Sequence, residues 1–484
     1  MKYTSNNRFG KRSFPNKVAS ALVVLSVTAA MVGYIVLKSR GSSASVASSG
    51  TNATLASNVS MTPNGLAVDS SGNVYISDMA NYVVYKVTPS GTISTVAGIP
   101  GVRGDSMDGS ARASTLSLPS GLALDSSGNL FIGDAGLDNV VDEVSPSGSL
   151  SIISGVPGQV NPPDSTLPAL SSDLHEPNGL AVDSSGNLYI ADTLHSVIEK
   201  QKLIGGSFSI VAGLSSTISG PTVNVPASQS GLYFPDAVAV DSTGNLFIAD
   251  TNNHVIEELS KSTGELTIVA GVVGAIGSPV SGVLASGDQI GNPTGIALDN
   301  SGNLFIADAF NNVIEEVSAS TGKLTIVAGI PGSKGAPTPG TATKSLLSAP
   351  DDVAVDSSGN LYISDSGNNL VERVVLATDQ LGFFAGTGQA VAPSPSGIVR
   401  QGYWLTASDG GVFSFGDANF YGSLAATKLN APVVGITPTP DGKGYWLTAS
   451  DGGVFSFGDA NFYGSLAATK LNAPVVGITP TPDG

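Results

Sequence analysis

Twelve aspartates recur in six pairs, each pair nine residues apart: Asp69 and Asp78, Asp125 and Asp134, Asp183 and Asp192, Asp241 and Asp250, Asp299 and Asp308, and Asp356 and Asp365. Carboxylates repeated in this way suggest either cation binding or the capping of backbone turns. Calcium takes six to eight oxygens converging at about 2.3–2.6 Å, and residues spread over six repeats cannot all converge. The pattern therefore predicts structural roles: the first aspartate of each pair caps a turn and the second pins the loop that follows it.

Amide and imidazole groups cluster just past each second aspartate. His195 and Ser196, Asn253 and His254, Asn311 and Asn312, and Asn368 and Asn369 occupy matching places. Such groups can hydrogen-bond a sugar or a peptide, although asparagine is also a common turn residue that accepts left-handed backbone. With Tyr233 and Phe234, which end an uncharged stretch, they are the candidate ligand-binding residues. The only histidines are His175, His195 and His254, and no spacing brings them together as a zinc set with an open position. The glutamates of the VIEE and VERV runs read as a solvated face. There is no GxSxG elbow, P-loop or HExxH helix. Neither a catalytic residue nor a cofactor is predicted.

The elements that position these groups are strands. In the third copy GLAVD (Gly179 to Asp183), SSGN and LYIAD (Leu188 to Asp192) read as strand, turn and return strand. VIEKQ (Val197 to Gln201) and FSIVAG (Phe208 to Gly213) supply a third and a fourth strand. Copies begin at Pro63, Pro119, Pro177, Pro235, Pro293 and Pro350, and a fixed period signals a repeat architecture. Four-stranded antiparallel units repeated radially form a propeller. The expected class is all-β, a six-bladed β-propeller over 61–390. Every unit runs from its first strand to its fourth, so ring closure is left either to side-chain packing or to residues 52–60 joining an edge strand.

The run PNGLAVDSSGNLYIAD, with a downstream VIEE or VIEK segment and a closing VAG, resembles the NHL repeat, and six copies resemble a six-bladed NHL propeller. The resemblance also brings in related channel enzymes. A zinc lyase would need several converging histidines, and a calcium-dependent lactonase would need a channel set of Glu, Asn and Asp. No set unique to single copies stands out here.

The ends differ from this body. Residues 1–17 are basic, and Val18 to Leu37 is a 20-residue apolar run flanked by Lys17 and Lys38, long enough to span a bilayer. The charge flanks predict a transmembrane signal anchor at 18–37 with a cytoplasmic tail; secretion after cleavage is the alternative. A flexible stalk is expected over 38–60. After a linker at 391–401, residues 402–484 contain a 41-residue unit repeated without substitution at a period of 42. It resembles the GYWL-type repeats of exported actinobacterial proteins, and two copies are too few to bury a core alone. They are expected to form a partial β-repeat region.

The formal net charge is -17; beyond residue 40 it is -24, with 14 basic and 38 acidic residues. Such a surface repels phosphate backbones, which excludes nucleic acid as a partner. The chain has no cysteine, which excludes thiolate sites and disulfides. The expected function is a non-catalytic recognition or scaffolding propeller, held at the cell membrane through its N-terminal helix with the propeller outside. It would bind an extracellular or cell-envelope protein or glycan through the face bearing the interblade loops, which are too long to be featureless connections. The alternative is a metal-dependent lyase or lactonase with its site in the channel.

Overall fold

The computed structural model describes residues 54–391, except 204–207, 216–219 and 223–224, and then 403–415, 420–424, 427–439, 444–458, 460–466, 469–471 and 473–476. The predicted membrane segment 18–37 and the linker lie outside these residues, apart from position 391. None of the described helices is long and apolar enough to cross a membrane. Regular structure in the described residues consists of strands and three-residue 3-10 turns.

Alternating and fully apolar strands form six antiparallel sheets at the six predicted copies. In the third, Pro177–Val182, Asn187–Asp192, Val197–Lys202 and Phe208–Gly213 pair in sequence order, close to the expected bounds. The second and sixth gain a fifth, two-residue strand, Gly109–Ser110 and Gly340–Thr341. The fold is a multi-blade β-propeller. The first strand of each sheet packs beside the first strand of the next, and that of the last sheet beside that of the first. Close approach here demands small residues: a methyl group at Gly65 or Gly121 would overlap the backbone of the neighbouring first strand.

The core lies between sheets, so each sheet is buried by its neighbours. One cluster joins Leu66, Val74 and Ile76 of the first sheet with Tyr362, Val371 and Ala385 of the sixth, together with Ala56 and Met61. Both routes to closure are used. Leu55 makes an antiparallel bridge to Thr92 at the outer edge of the first sheet, and the amide of Gly386, at the end of the sixth, donates to Ala56 O at 3.1 Å.

Residues 54–60 therefore belong to the ring, which shortens the expected stalk of 38–60. They are the first instance of a feature that recurs in every interblade loop. Ala56, Ala111, Ala169, Ala227, Ala285 and Ala342 are buried, and five residues after each lies a buried Met61, Leu116, Leu174, Leu232, Ile290 or Leu347. Equivalent backbone bonds join Gly98 to Ala111 and Gly155 to Ala169. The long loops are thus anchored at fixed points, and only their outer parts are free to vary.

In the C-terminal region Tyr403–Thr406 and Val412–Phe415 form a two-stranded sheet, and Val433–Pro438, Gly444–Ala449 and Val454–Gly458 a three-stranded one. These share a small core that includes Leu424, Val433, Tyr445 and Leu447.

Candidate functional site: the channel mouth

The first aspartates cap turns as expected. Asp183 Oδ1 accepts from the amides of Ser185 and Asn187, both at 2.9 Å, and Oδ2 from the Asn187 side chain at 2.6 Å. The second aspartates are fully buried. Each ends a strand and accepts a backbone N–H from the loop before its sheet: Thr62 on Asp78, His175 on Asp192, Tyr233 on Asp250, Gly291 on Asp308 and Ser348 on Asp365, at 2.7–3.1 Å.

That arrangement takes up the groups expected to bind ligand. Asn253, Asn311 and Asn368 donate their side-chain N–H to Asp250, Asp308 and Asp365 at 2.6, 2.8 and 2.7 Å. His195 Nδ1 stands 2.7 Å from Asp192 Oδ2. The next residue is left-handed in all six sheets: Tyr82, Asn139, Ser196, His254, Asn312 and Asn369 have φ of 53–59°. Several of these reach the following sheet. Asn312 Oδ1 accepts from Ala349 N at 2.9 Å, Asn369 Oδ1 accepts from Thr62 Oγ1 at 3.1 Å, and His254 Nδ1 lies 3.0 Å from Gly291 O. Phe234 is also left-handed, at φ 52°, and packs edge-on against half-buried Tyr233 with ring centroids 5.0 Å apart. The structure thus spreads these residues over the loops of the third to sixth sheets, most of them as loop ties and Ser196 with its hydroxyl buried, and gathers no single pocket from them.

The glutamates differ from expectation more sharply. Glu199, Glu257, Glu315 and Glu372, the first acid of each VIEE, VIEK or VERV run, are fully buried and are not a solvated face. Only the residue after each faces outward. The strand alternation turns the first acid toward the second aspartate seven positions earlier. Burial, reinforced by the charge of Asp192, Asp250, Asp308 or Asp365, holds each glutamate well above its ordinary range and so favours its protonated form. In the second sheet Asp142 takes this place and is raised in the same way; in the first it is Tyr85, pushed up to about 12 chiefly by burial.

A further set of polar groups lies at the centre, two of which, the Ser120 and Thr294 hydroxyls, point to backbone carbonyls of their own and the next sheet at 3.2–3.4 Å. The second residue of each first strand is Asn64, Ser120, Asn178, Asp236, Thr294 or Asp351, and these line one cavity of about 320 Å³. Met79, Leu118, Ala135 and Glu176, from the loops around the strand ends, also line it, so it opens on the interblade-loop face. Asn64 Nδ2 approaches Asp351 Oδ2 at 3.4 Å, and Asn178 Nδ2 approaches Asp236 Oδ1 at 3.3 Å. Asp352 accepts the amides of Leu66 and Val353, both at 2.8 Å. Burial pushes Asp236 to about 6 and Asp352 to about 7, and raises Asp351. Among the described residues no three His, Asp or Glu side chains are grouped so as to hold a metal ion.

The profile of the Teneurin NHL domain matches residues 40–222, and that of the NHL repeat matches 232–256 and 347–373. The chain carries NHL repeats. Teneurin-3 of Mus musculus is 30% identical over 223 residues, covering 42% of this chain and 8% of that protein. NHL repeat-containing protein 2 of Bos taurus is 23% identical over 336 residues, covering 66% of this chain and 40% of that protein. The aligned NHL region thus spans well under two thirds of either relative's length. Among solved structures, a Bacteroides thetaiotaomicron protein of unknown function has a TM-score of 0.49 at 14% identity, covering 67% of this chain and 72% of its own. An auxiliary nutrient binding protein from Bacteroides ovatus has a TM-score of 0.48 at 14% identity, covering 67% and 70%.

One feature of the NHL sheets escapes a reading of residue types alone. The buried glutamates resemble an exposed i, i+1 acidic pair until the strand register is known. The channel residues are within reach: between the recurring Pro and the apolar run that ends in Asp, the second position changes type from one copy to the next, and that variation is the available signal.

Proposed function

We propose that this chain is an exported, membrane-anchored recognition or scaffolding protein without catalytic activity. In this reading the six NHL sheets are the blades of a six-bladed propeller that binds a protein or glycan through its interblade-loop face, centred on the channel mouth. One observation carries the proposal. Groups repeated in most sheets are committed to loops and blade contacts, whereas the channel-mouth positions differ sheet by sheet and line a cavity. Two carboxyls and two amides, beside two hydroxyls that already donate to backbone carbonyls, suit one asymmetric ligand rich in hydrogen-bond donors. Export and anchoring rest on the apolar run at 18–37 and its basic flanks.

The test is to screen the full chain on arrays of cell-envelope glycans and extracellular peptides, and then to repeat the screen with Asp236→Asn and Asp351→Asn. Binding that these variants weaken at least tenfold, with the melting temperature held, supports the reading. No binding at all, or binding indifferent to both variants, rejects it. Reproducible turnover of a lactone or ester that depends on added metal would favour the enzyme instead.

A further inference from the structure

The acids of the channel mouth have no base among them. Glu176, Asp236, Asp351 and Asp352 line the cavity, and among the described residues no lysine, arginine or histidine does. The amide contacts from Asn178 to Asp236 and from Asn64 to Asp351 are long, at 3.3 and 3.4 Å, and bring no charge. Burial raises Asp236, and the charges of Asp351 and Glu176 raise it further, so these carboxyls work against one another.

The rim around this cavity carries apolar side chains instead. The residue before each loop tie is Ala80, Leu137, Leu194, Asn252, Phe310 or Gly367, and Leu137 and Phe310 are 55% and 57% exposed. Both stand close to the mouth. Leu137 N donates to Ser117 Oγ at 2.6 Å, and Ser117 precedes the lining residue Leu118. Phe310 packs on Gly291, where an added methyl group would meet its Cβ; Gly291 lies three residues before the lining Thr294, a reach of at most about 11 Å. The second and fifth sheets stand three places apart in a ring of six, so Leu137 and Phe310 flank the mouth on opposite sides. Val160 and Ile276, 45% and 44% exposed, extend this surface: Val160 O lies 3.3 Å from His195 Nε2, and Gly277 O, next to Ile276, accepts from Asn311 Nδ2 at 2.7 Å.

An acidic cavity without a base, ringed by exposed apolar side chains, fits a ligand that is cationic at its centre and apolar around it. Exposed apolar groups beside a polar cleft mark a protein-binding surface. A neutral glycan brings no positive charge to the carboxyls, and leucine, valine and isoleucine offer it no ring face on which to stack. We propose that the ligand of the channel mouth is a polypeptide segment that places a lysine or arginine side chain among Glu176, Asp236 and Asp351 and lays apolar side chains on Leu137 and Phe310. This inference rests on the recognition reading above and narrows its partner to a protein of that chemistry. The base supplies charge-assisted hydrogen bonds, and the apolar contacts around it keep water from them.

The full chain is screened against a phage-displayed library of random dodecapeptides and, in parallel, against an array of cell-envelope glycans. The peptides expected to bind carry Lys or Arg close in sequence to Leu, Ile or Phe. With the selected peptides made synthetically, replacing the base by glutamine, or Asp236→Asn together with Asp351→Asn in the protein, should weaken binding about tenfold or more, the loss of a charge-assisted contact. Leu137→Ser and Phe310→Ser should each weaken it several-fold with the melting temperature held. Peptides that bind equally well without a base, or that ignore both rim variants, overturn the inference. Glycans that bind where no peptide does overturn it too, yet leave the recognition reading standing; if neither class binds, that reading falls as well.

Discussion

His195 Nδ1 lies 2.7 Å from Asp192 Oδ2, and both side chains are buried. This single contact turns a candidate ligand-binding histidine into part of a loop tie. Burial disfavours the imidazolium, but the hydrogen bond and the charge of Asp192 outweigh it and raise the His195 pKa. Asparagine makes the same tie in the three following sheets. His195→Asn should therefore keep nearly all the stability, whereas His195→Ala leaves a buried carboxylate short of a donor, at a cost of about 1–3 kcal/mol. Urea titration followed by fluorescence measures both. Equal loss in the two variants would show that packing, not the hydrogen bond, is what His195 contributes.

The buried acids set a pH dependence of unusual sign. Asp250 and Asp365 are pushed to about 7 and Asp134 to about 6, mainly by burial, and the neighbouring glutamates are raised in the same direction. A folded-state pKa above the unfolded one means that the fold binds more protons, so stability is fullest below about pH 4 for these groups and is lost as pH rises through their folded values. The melting temperature should therefore fall between pH 5 and pH 8, by several degrees, since about 1 kcal/mol shifts a mid-sized domain by roughly 2–4 °C. Glu315→Gln, which keeps a donor beside Asp308, should reduce that slope and be stabilising at pH 8. A flat profile from pH 5 to pH 8 would count against protonated glutamates in the fold.

These two cases show what the sequence discloses and why it stops. Strand bounds, repeat number and the turn role of Asp183 follow from local chemistry, because a strand alternates and an aspartate caps within four residues. The inward turn of Glu315 depends on register with Ile306 across the sheet, a non-local relation. The anchoring Ala169 and Leu174 lie in a loop whose outer part varies, so the five-residue spacing is visible only once six loops are superposed. Channel residues such as Asp236 acquire meaning from neighbours 58 residues away.

Ring closure gives a sharper test of the N-terminal boundary. Three backbone bonds tie residues 54–56 to the ring: Ala56 N to Gly91 O, Ile93 N to Thr54 O and Gly386 N to Ala56 O, at 2.9, 3.0 and 3.1 Å. At about 0.5–1.5 kcal/mol each, a chain beginning at residue 59 should be less stable by roughly 2–4 kcal/mol, with early hydrogen exchange at Gly386. A chain beginning at residue 54 should match the full-length propeller region. If both truncations melt alike, closure rests on the side-chain cluster around Met61 and Tyr362 alone.

Asp236 and Asp351 separate the roles of fold and site. Each is a channel-mouth carboxyl that burial pushes up, so holding it ionised at neutral pH is costly. Its one side-chain amide contact, to Asn178 or Asn64, is long, at 3.3 or 3.4 Å. Replacing either by asparagine removes a charge that the fold disfavours and keeps the shape. Stability at pH 7.5 should hold or rise, because burial disfavours the ionised carboxyl and its neutral substitute carries no charge to bury. Affinity for a ligand that donates into the mouth should fall about tenfold or more per variant, or roughly 1.4 kcal/mol, the loss expected for a charge-assisted hydrogen bond. Because Asp236 titrates near 6, binding by the unmodified chain should also strengthen from pH 5 to pH 7.5, opposite in sign to the stability trend. Isothermal titration at both pH values, paired with melting curves for the same samples, reads the two trends together; affinity and stability moving in the same direction would remove these carboxyls from the binding site.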